Sequence, residues 1–94
     1  MIIVGLETEW ENCAGGHSIH KFCFECADIH EAAVAVLKTN WSNGFQCNCF
    51  KSGEFHDDST GNSWSVDSGG HTKRDYRKES TKDFVERWER EEKE

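Results

Sequence analysis

The sequence has no proline, a single methionine and a single tyrosine. Without proline, no segment reads as a stiff, extended linker. No apolar run approaches the ~20 residues that a membrane-spanning helix needs, so a helical span is excluded. The apolar start, MIIVGL, lacks a basic leader and soon meets Glu7, Glu9 and Glu11. It reads as a first strand rather than a signal peptide, and a soluble, cytoplasmic protein is the expectation. Several motifs of chemistry are also missing: there is no phosphate loop, no glycine fingerprint for a dinucleotide and no H-E-x-x-H zinc helix. No internal repeat or low-complexity segment interrupts the chain.

What is present fits one small domain with a thin core, since 94 residues bury a modest fraction of their surface. Four Trp and six Phe supply large apolar area from few positions, which argues against a disordered chain. The net charge of −7 is unevenly placed. Residues 1–72 hold 10 acids and 3 bases, whereas residues 73–94 hold 8 of each. The acidity therefore belongs to the body of the domain, which repels nucleic acid and suits a basic partner.

Along the chain, residues 6–11 alternate strictly, with Leu6, Thr8 and Trp10 on one face and Glu7, Glu9 and Glu11 on the other. That is a half-buried strand. Gly15-Gly16 marks a turn, and the aromatic run over 18–26 completes a hairpin. Residues 28–40 place Ile29, Ala32, Ala33, Val36 and Leu37 at amphipathic helix spacing. Asp28 and Glu31 form its capping box and Asn43-Gly44 its end. A short strand over 45–50 follows, then a loop-rich segment over 51–79 with one short strand at 64–66. A second helix, 80–94, is capped by Ser80. Phe84, Val85 and Trp88 form its apolar stripe, and Glu86–Arg90 and Glu89–Lys93 are favourable pairs. The fold class expected is α+β: a small antiparallel sheet with two helices burying Trp10, Ile29, Val36, Leu37, Trp41 and Trp88. Residues 1–50 form a ββαβ core stapled by zinc.

That staple rests on the cysteines. Five is an odd number and no secretion signal accompanies them, so metal binding or buried thiols outrank a disulfide framework. Zinc takes four ligands in a tetrahedron, usually as two close pairs. Cys23 and Cys26 supply one pair at C-x2-C spacing, and Cys47 and Cys49 a second on one strand face. The alternative second pair is Cys13 and His17. In that order the ligands resemble the zinc finger of bacterial and phage primases, the local match being Phe22-Cys23-Phe24-Glu25-Cys26 followed by a helix. Only five residues separate His17 from Cys23, fewer than in that finger. The competing reading is that these cysteines are small core hydrophobes.

Glu7, Glu9 and Glu11 repeat about every 7 Å along their strand, a spacing on the scale of backbone phosphates. Glu25, Asp57 and Asp58 extend the acidic surface. The size, acidity and lack of a catalytic signature resemble small phage-encoded inhibitors of host defence, anti-CRISPR proteins among them. That resemblance, of type rather than motif, implies a non-enzymatic inhibitor that blocks a nucleic-acid-handling enzyme such as a CRISPR effector. Two alternatives stand beside it. One is a zinc-finger module contacting nucleic acid or a transcription component through Lys73, Arg74, Arg77 and Lys78. The other is a small metal-dependent hydrolase built on His56, Asp57 and Asp58.

Overall fold

The computed structural model describes residues 1–90. Strand β1 (Ile2–Asn12) pairs antiparallel with β2 (His17–Cys26), and helix α1 (Ile29–Leu37) follows. Next come a two-residue strand β3 (Trp41–Ser42), the long β4 (Gln46–Asp57), β5 (Ser63–Val66), β6 (Thr72–Asp75) and helix α2 (Thr81–Arg90). The sheet runs β2-β1-β4-β5-β6, with β3 on β4. No helix among the described residues is long and apolar enough to cross a membrane.

The α+β expectation holds, with more sheet than the composition suggested. Residues 51–57 continue β4, and the basic stretch forms edge strand β6. Polar residues disguise both, because α2 covers that side of the sheet with few apolar contacts and the outer strands are only four residues long. Helix α1 begins as read: the Glu31 N–H donates to the Asp28 carboxylate at 2.9 Å, and the Glu31 side chain accepts from the Ala27 N–H. It ends earlier, at Leu37. Asn43-Gly44 instead turns β3 into β4, with Gly44 at φ +89° and the Asn43 side chain accepting from the Phe45 and Gln46 amides. Ser80 caps α2 by accepting from the Asp83 N–H at 3.2 Å. The sequence reading carries that helix to residue 94 and includes the pairs Glu86–Arg90 and Glu89–Lys93. Residues 91–94 lie outside the described residues, as does the side chain at 90 that the first pair needs.

Strand alternation gives β1 two buried faces. Ile2, Val4 and Leu6 join Phe55, Val66, Ala32 and Val36 beneath α1, with Phe24, Ile29, Phe50 and Trp64 packed around them. Ile3 faces the other way and meets Phe84 and Trp88 of α2. Val36 and Trp88 are buried as expected, but Leu37 and Trp41 are 50 % and 43 % exposed. Leu37 lies on the last turn of α1, and Trp41 sits on a two-residue strand that, among the described elements, contacts β4 alone.

On the α2 side, Trp88 occupies space that a side chain at position 5 would fill. A Cβ on Gly5 would come within 2.4 Å of the Trp88 ring. The indole N–H donates to Glu54 at 3.2 Å. Glu54, opposite Gly5 on β4, also accepts from Arg87, which in turn binds both carboxylate oxygens of Glu79. Arg77 closes the group by pairing with Glu54 and Asp75. At the start of α2, the buried His56 ring stacks on Phe84 and reaches Ser63 and Thr81 at 3.0 and 3.1 Å. The Thr81 hydroxyl donates its proton to Asp58, so it can only accept from His56 Nε2–H. The Ser63 hydroxyl completes the ring's bonding at Nδ1.

Two outcomes follow from this packing. Gly5→Ala drives a methyl into the Trp88 ring and costs about 1–3 kcal/mol, the usual cost of overpacking, read as a lowered urea midpoint with an unchanged slope. The Arg87 guanidinium holds the Glu79 carboxyl below the ordinary glutamate value, against the opposing effect of burial. A depressed carboxylate contributes stability present above its unfolded value, about 4.3, and lost as pH falls through the folded one. Glu79→Gln therefore lowers stability at neutral pH and flattens its acid-side decline. Equal slopes below pH ~4.3 in urea titrations of the two proteins would refute that account.

Candidate functional site

The cysteines do not gather as the C-x2-C spacing suggested. Both Cys23 and Cys26 lie within strand β2, where residues three apart point to opposite faces. Cys23 pairs with Gly5 and packs against the Ile3–Phe84–Trp88 cluster, whereas Cys26 pairs with Ile2 and belongs to the core beneath α1. With the sheet between them, the two sulfurs do not share one ion in this arrangement, and the four-cysteine site is not assembled. Cys26 is a buried thiol, and Cys23 is half-buried. Burial and then Glu89 push the Cys23 thiol up to about 11, and burial also raises Cys26. The second route fares no better as drawn: the Cys13 thiol donates to the carbonyls of Phe45 and Gly44, while His17 binds Glu9.

The other half of the expected ligand set does come together. Past the crossing of α2, the same face of the sheet carries Glu7, Glu9 and Glu11 of β1. Register places His17 of β2 and Cys47 of β4 opposite Glu11, and Ile19 and Cys49 opposite Glu9. Among the described residues, Glu9, Glu11 and His17 form the one group of three or more potential metal ligands, with ligand atoms all within 4.8 Å of one another. A bulge makes Lys51 the unpaired residue of β4, and its ammonium reaches Glu9 at 3.1 Å. The imidazole of His17, then Lys51, lowers the Glu9 carboxyl, and Glu9 in turn raises Lys51. Glu7 accepts from the Ser52 hydroxyl. The Cys47 thiol is raised first by partial burial, then by Cys49 and Glu11. The acidic row is therefore real but partly neutralised at its centre.

Glu25 lies on this face too, exposed and opposite Ile3. Asp57 and Asp58 do not extend the row. Asp57 closes the turn after β4 by accepting from the amide and hydroxyl of Ser59, which lower its carboxyl, and Asp58 holds Thr81. His56 is 0 % exposed and bonded on both nitrogens, so His56, Asp57 and Asp58 form no open hydrolytic centre. Two of the four basic residues of the 73–78 stretch are engaged. Arg77 is held by Glu54 and Asp75, and Arg74 donates to Asn62 and stacks on Tyr76. The Glu54–Arg87–Glu79 cluster escaped the sequence reading, because its members are eight and 33 residues apart and no local spacing links them.

Thiol placement has a direct consequence. With limiting iodoacetamide under native, reducing conditions near pH 8, Cys13 and Cys49, both exposed, are modified first. Cys26, buried, and Cys23, its thiol pushed up to about 11, are modified last. Peptide mapping by mass spectrometry reads the order, and early labelling of Cys23 would contradict its placement beneath α2.

No protein-family model matches the chain, no curated protein is similar to it, and no solved structure resembles it.

Proposed function

We propose that the protein is a non-enzymatic binding protein that sets the sheet face bearing Glu7, Glu9 and Glu11 against a basic, nucleic-acid-binding surface of another protein. A CRISPR effector is the class of partner that its size and acidity favour. The observation that carries this reading is the register of β1: three carboxylates lie on one face, spaced about 7 Å apart along a rigid central strand. Glu25 continues the negative charge along β2. Arg74, Arg77 and Arg87 are drawn to Asn62, Asp75, Glu54 and Glu79 around α2 and β6, while Lys21 stands opposite Glu7 and Lys51 against Glu9 on the face itself. A preformed charged face on a paired strand loses little conformational entropy on docking, and complementary charge speeds encounter and selects partners.

The reading is tested by competition. Purified protein is titrated into CRISPR effector–guide complexes holding labelled DNA duplex, at two salt concentrations. The expected result is displacement of DNA that weakens as salt rises. The triple variant Glu7→Lys, Glu9→Lys, Glu11→Lys then loses binding roughly 100-fold or more, since like-charge juxtaposition costs several kcal/mol. Circular dichroism verifies that it still folds. Unchanged affinity of a folded triple variant removes the acidic face from the interface.

A further inference from the structure

The corner formed by the turn ends of β1 and β2 and the start of β4 places nitrogen, oxygen and sulfur donors on one face of three adjacent strands. Glu11 is central, with His17 directly opposite on one side and Cys47 on the other. Cys49 lies two residues along β4 on the same face. His17, Glu11 and Cys49 are exposed and Cys47 is half-buried, so the corner is open to solvent. Behind them Glu9 holds the His17 imidazole and is itself held by Lys51.

We propose that this corner is a four-coordinate zinc-type site, with His17, Glu11, Cys47 and Cys49 as ligands and Glu9 orienting the imidazole. The donor chemistry fits. Zinc takes imidazole, carboxylate and thiolate at about 2.0–2.3 Å, and tetrahedral ligand atoms then stand roughly 3.3–3.7 Å apart. Glu11 and His17, with Glu9, already converge to within 4.8 Å, whereas the Cys47 and Cys49 thiols stand outside that group and reach the ion by turning about their Cα–Cβ bonds. Adjacent strands stand about 4.8 Å apart, and an ion seated over Glu11 lies one strand spacing from both His17 and Cys47. A carboxylate gripping one imidazole nitrogen while the other binds metal is the usual support for a ligating histidine. Binding converts the two thiols to thiolates and releases their protons to solvent. Such a site also explains why two neighbouring thiols face two carboxylates on an open surface, where neither apolar burial nor charge pairing accounts for them. It stands independently of any protein partner, because the metal alone reports on it.

The test is a titration of the reduced protein with Co²⁺, followed by displacement with Zn²⁺. The expected result is one equivalent of cobalt, with a thiolate-to-cobalt charge-transfer band and the intense visible bands of tetrahedral coordination, both abolished by zinc. Cys47→Ser with Cys49→Ser removes the charge-transfer band, and His17→Ala abolishes tetrahedral binding. Glu9→Gln weakens binding by roughly 10–100-fold, the usual effect of losing such an orienting partner. Cys23→Ser with Cys26→Ser leaves the spectrum unchanged. Because those two thiols are partly buried and the pair variant is the more prone to misfold, Cys13→Ser serves as the second control and likewise leaves the band in place. Absence of tetrahedral cobalt, or a band that survives loss of Cys47 and Cys49, overturns the proposal.

Discussion

Trp88 lies against β1 at the one position where that strand has no side chain, and its indole N–H ends on Glu54 of the neighbouring strand. Much of the α2 side depends on this contact. A helix with the narrow stripe Phe84, Val85 and Trp88 has little apolar area with which to hold itself to a sheet. Close approach over Gly5 lets the largest side chain of the stripe reach full contact, where dispersion and burial are strongest. The same approach brings Arg87 down onto Glu54 and Glu79, and half-buried charges of that kind are favourable only when paired and hydrogen-bonded. At the other end of the helix, the buried His56 ring joins Ser63, Thr81 and Phe84, so that none of the polar atoms buried there lacks a partner. Polar groups of this sort position α2 more than they stabilise it.

Because α1 and α2 cover opposite faces of β1, the strand's alternation carries more information than its half-buried appearance implied. The polar–apolar alternation over 6–11 and the helix over 28–37 were legible, since each is a local periodicity backed by a cap. The face assignment of Glu7, Glu9 and Glu11 followed directly. Residues 51–57 were not legible, because one face of β4 there carries Glu54 and His56, whose partners on α2 and β5 are distant in sequence. Polar residues buried by long-range pairing look like loop residues when read one segment at a time. Trp41 shows the converse error: a large aromatic was assigned to the core on size alone, although burial requires an element to cover it.

The cysteines show how local geometry decides what a motif means. Two residues between cysteines favour a shared ion when the backbone turns between them, as in a knuckle. In an extended strand the same spacing separates the sulfurs by the thickness of the sheet. The sequence reading treated residues 18–26 as β-favouring and Cys23–Cys26 as a ligand pair, and these two readings conflict once the strand extends through Cys26. The x-spacing of one in Cys47-Asn48-Cys49, less familiar as a metal motif, is the one that strand geometry supports. His17 entered by its own route, as half of the alternative Cys13–His17 pair, and cross-strand register rather than sequence separation sets it opposite Glu11.

Charge and coordination also bear on each other at this corner. A row of carboxylates is costly to hold without a counter-charge; here Lys51 stands against Glu9 and Lys21 opposite Glu7. A divalent ion bound by Glu11, His17 and two thiolates carries a site charge of −1, counting the three anionic ligands against the metal. The metal-free cluster with protonated thiols carries that same −1 from Glu11 alone. Metal binding therefore leaves the net charge of the face nearly unchanged while tying three strands together at one corner. An acidic docking surface and a metal site are compatible on the same strand: the ion would rigidify the end at Glu11 while Glu7 and Glu25 keep presenting negative charge to a basic partner.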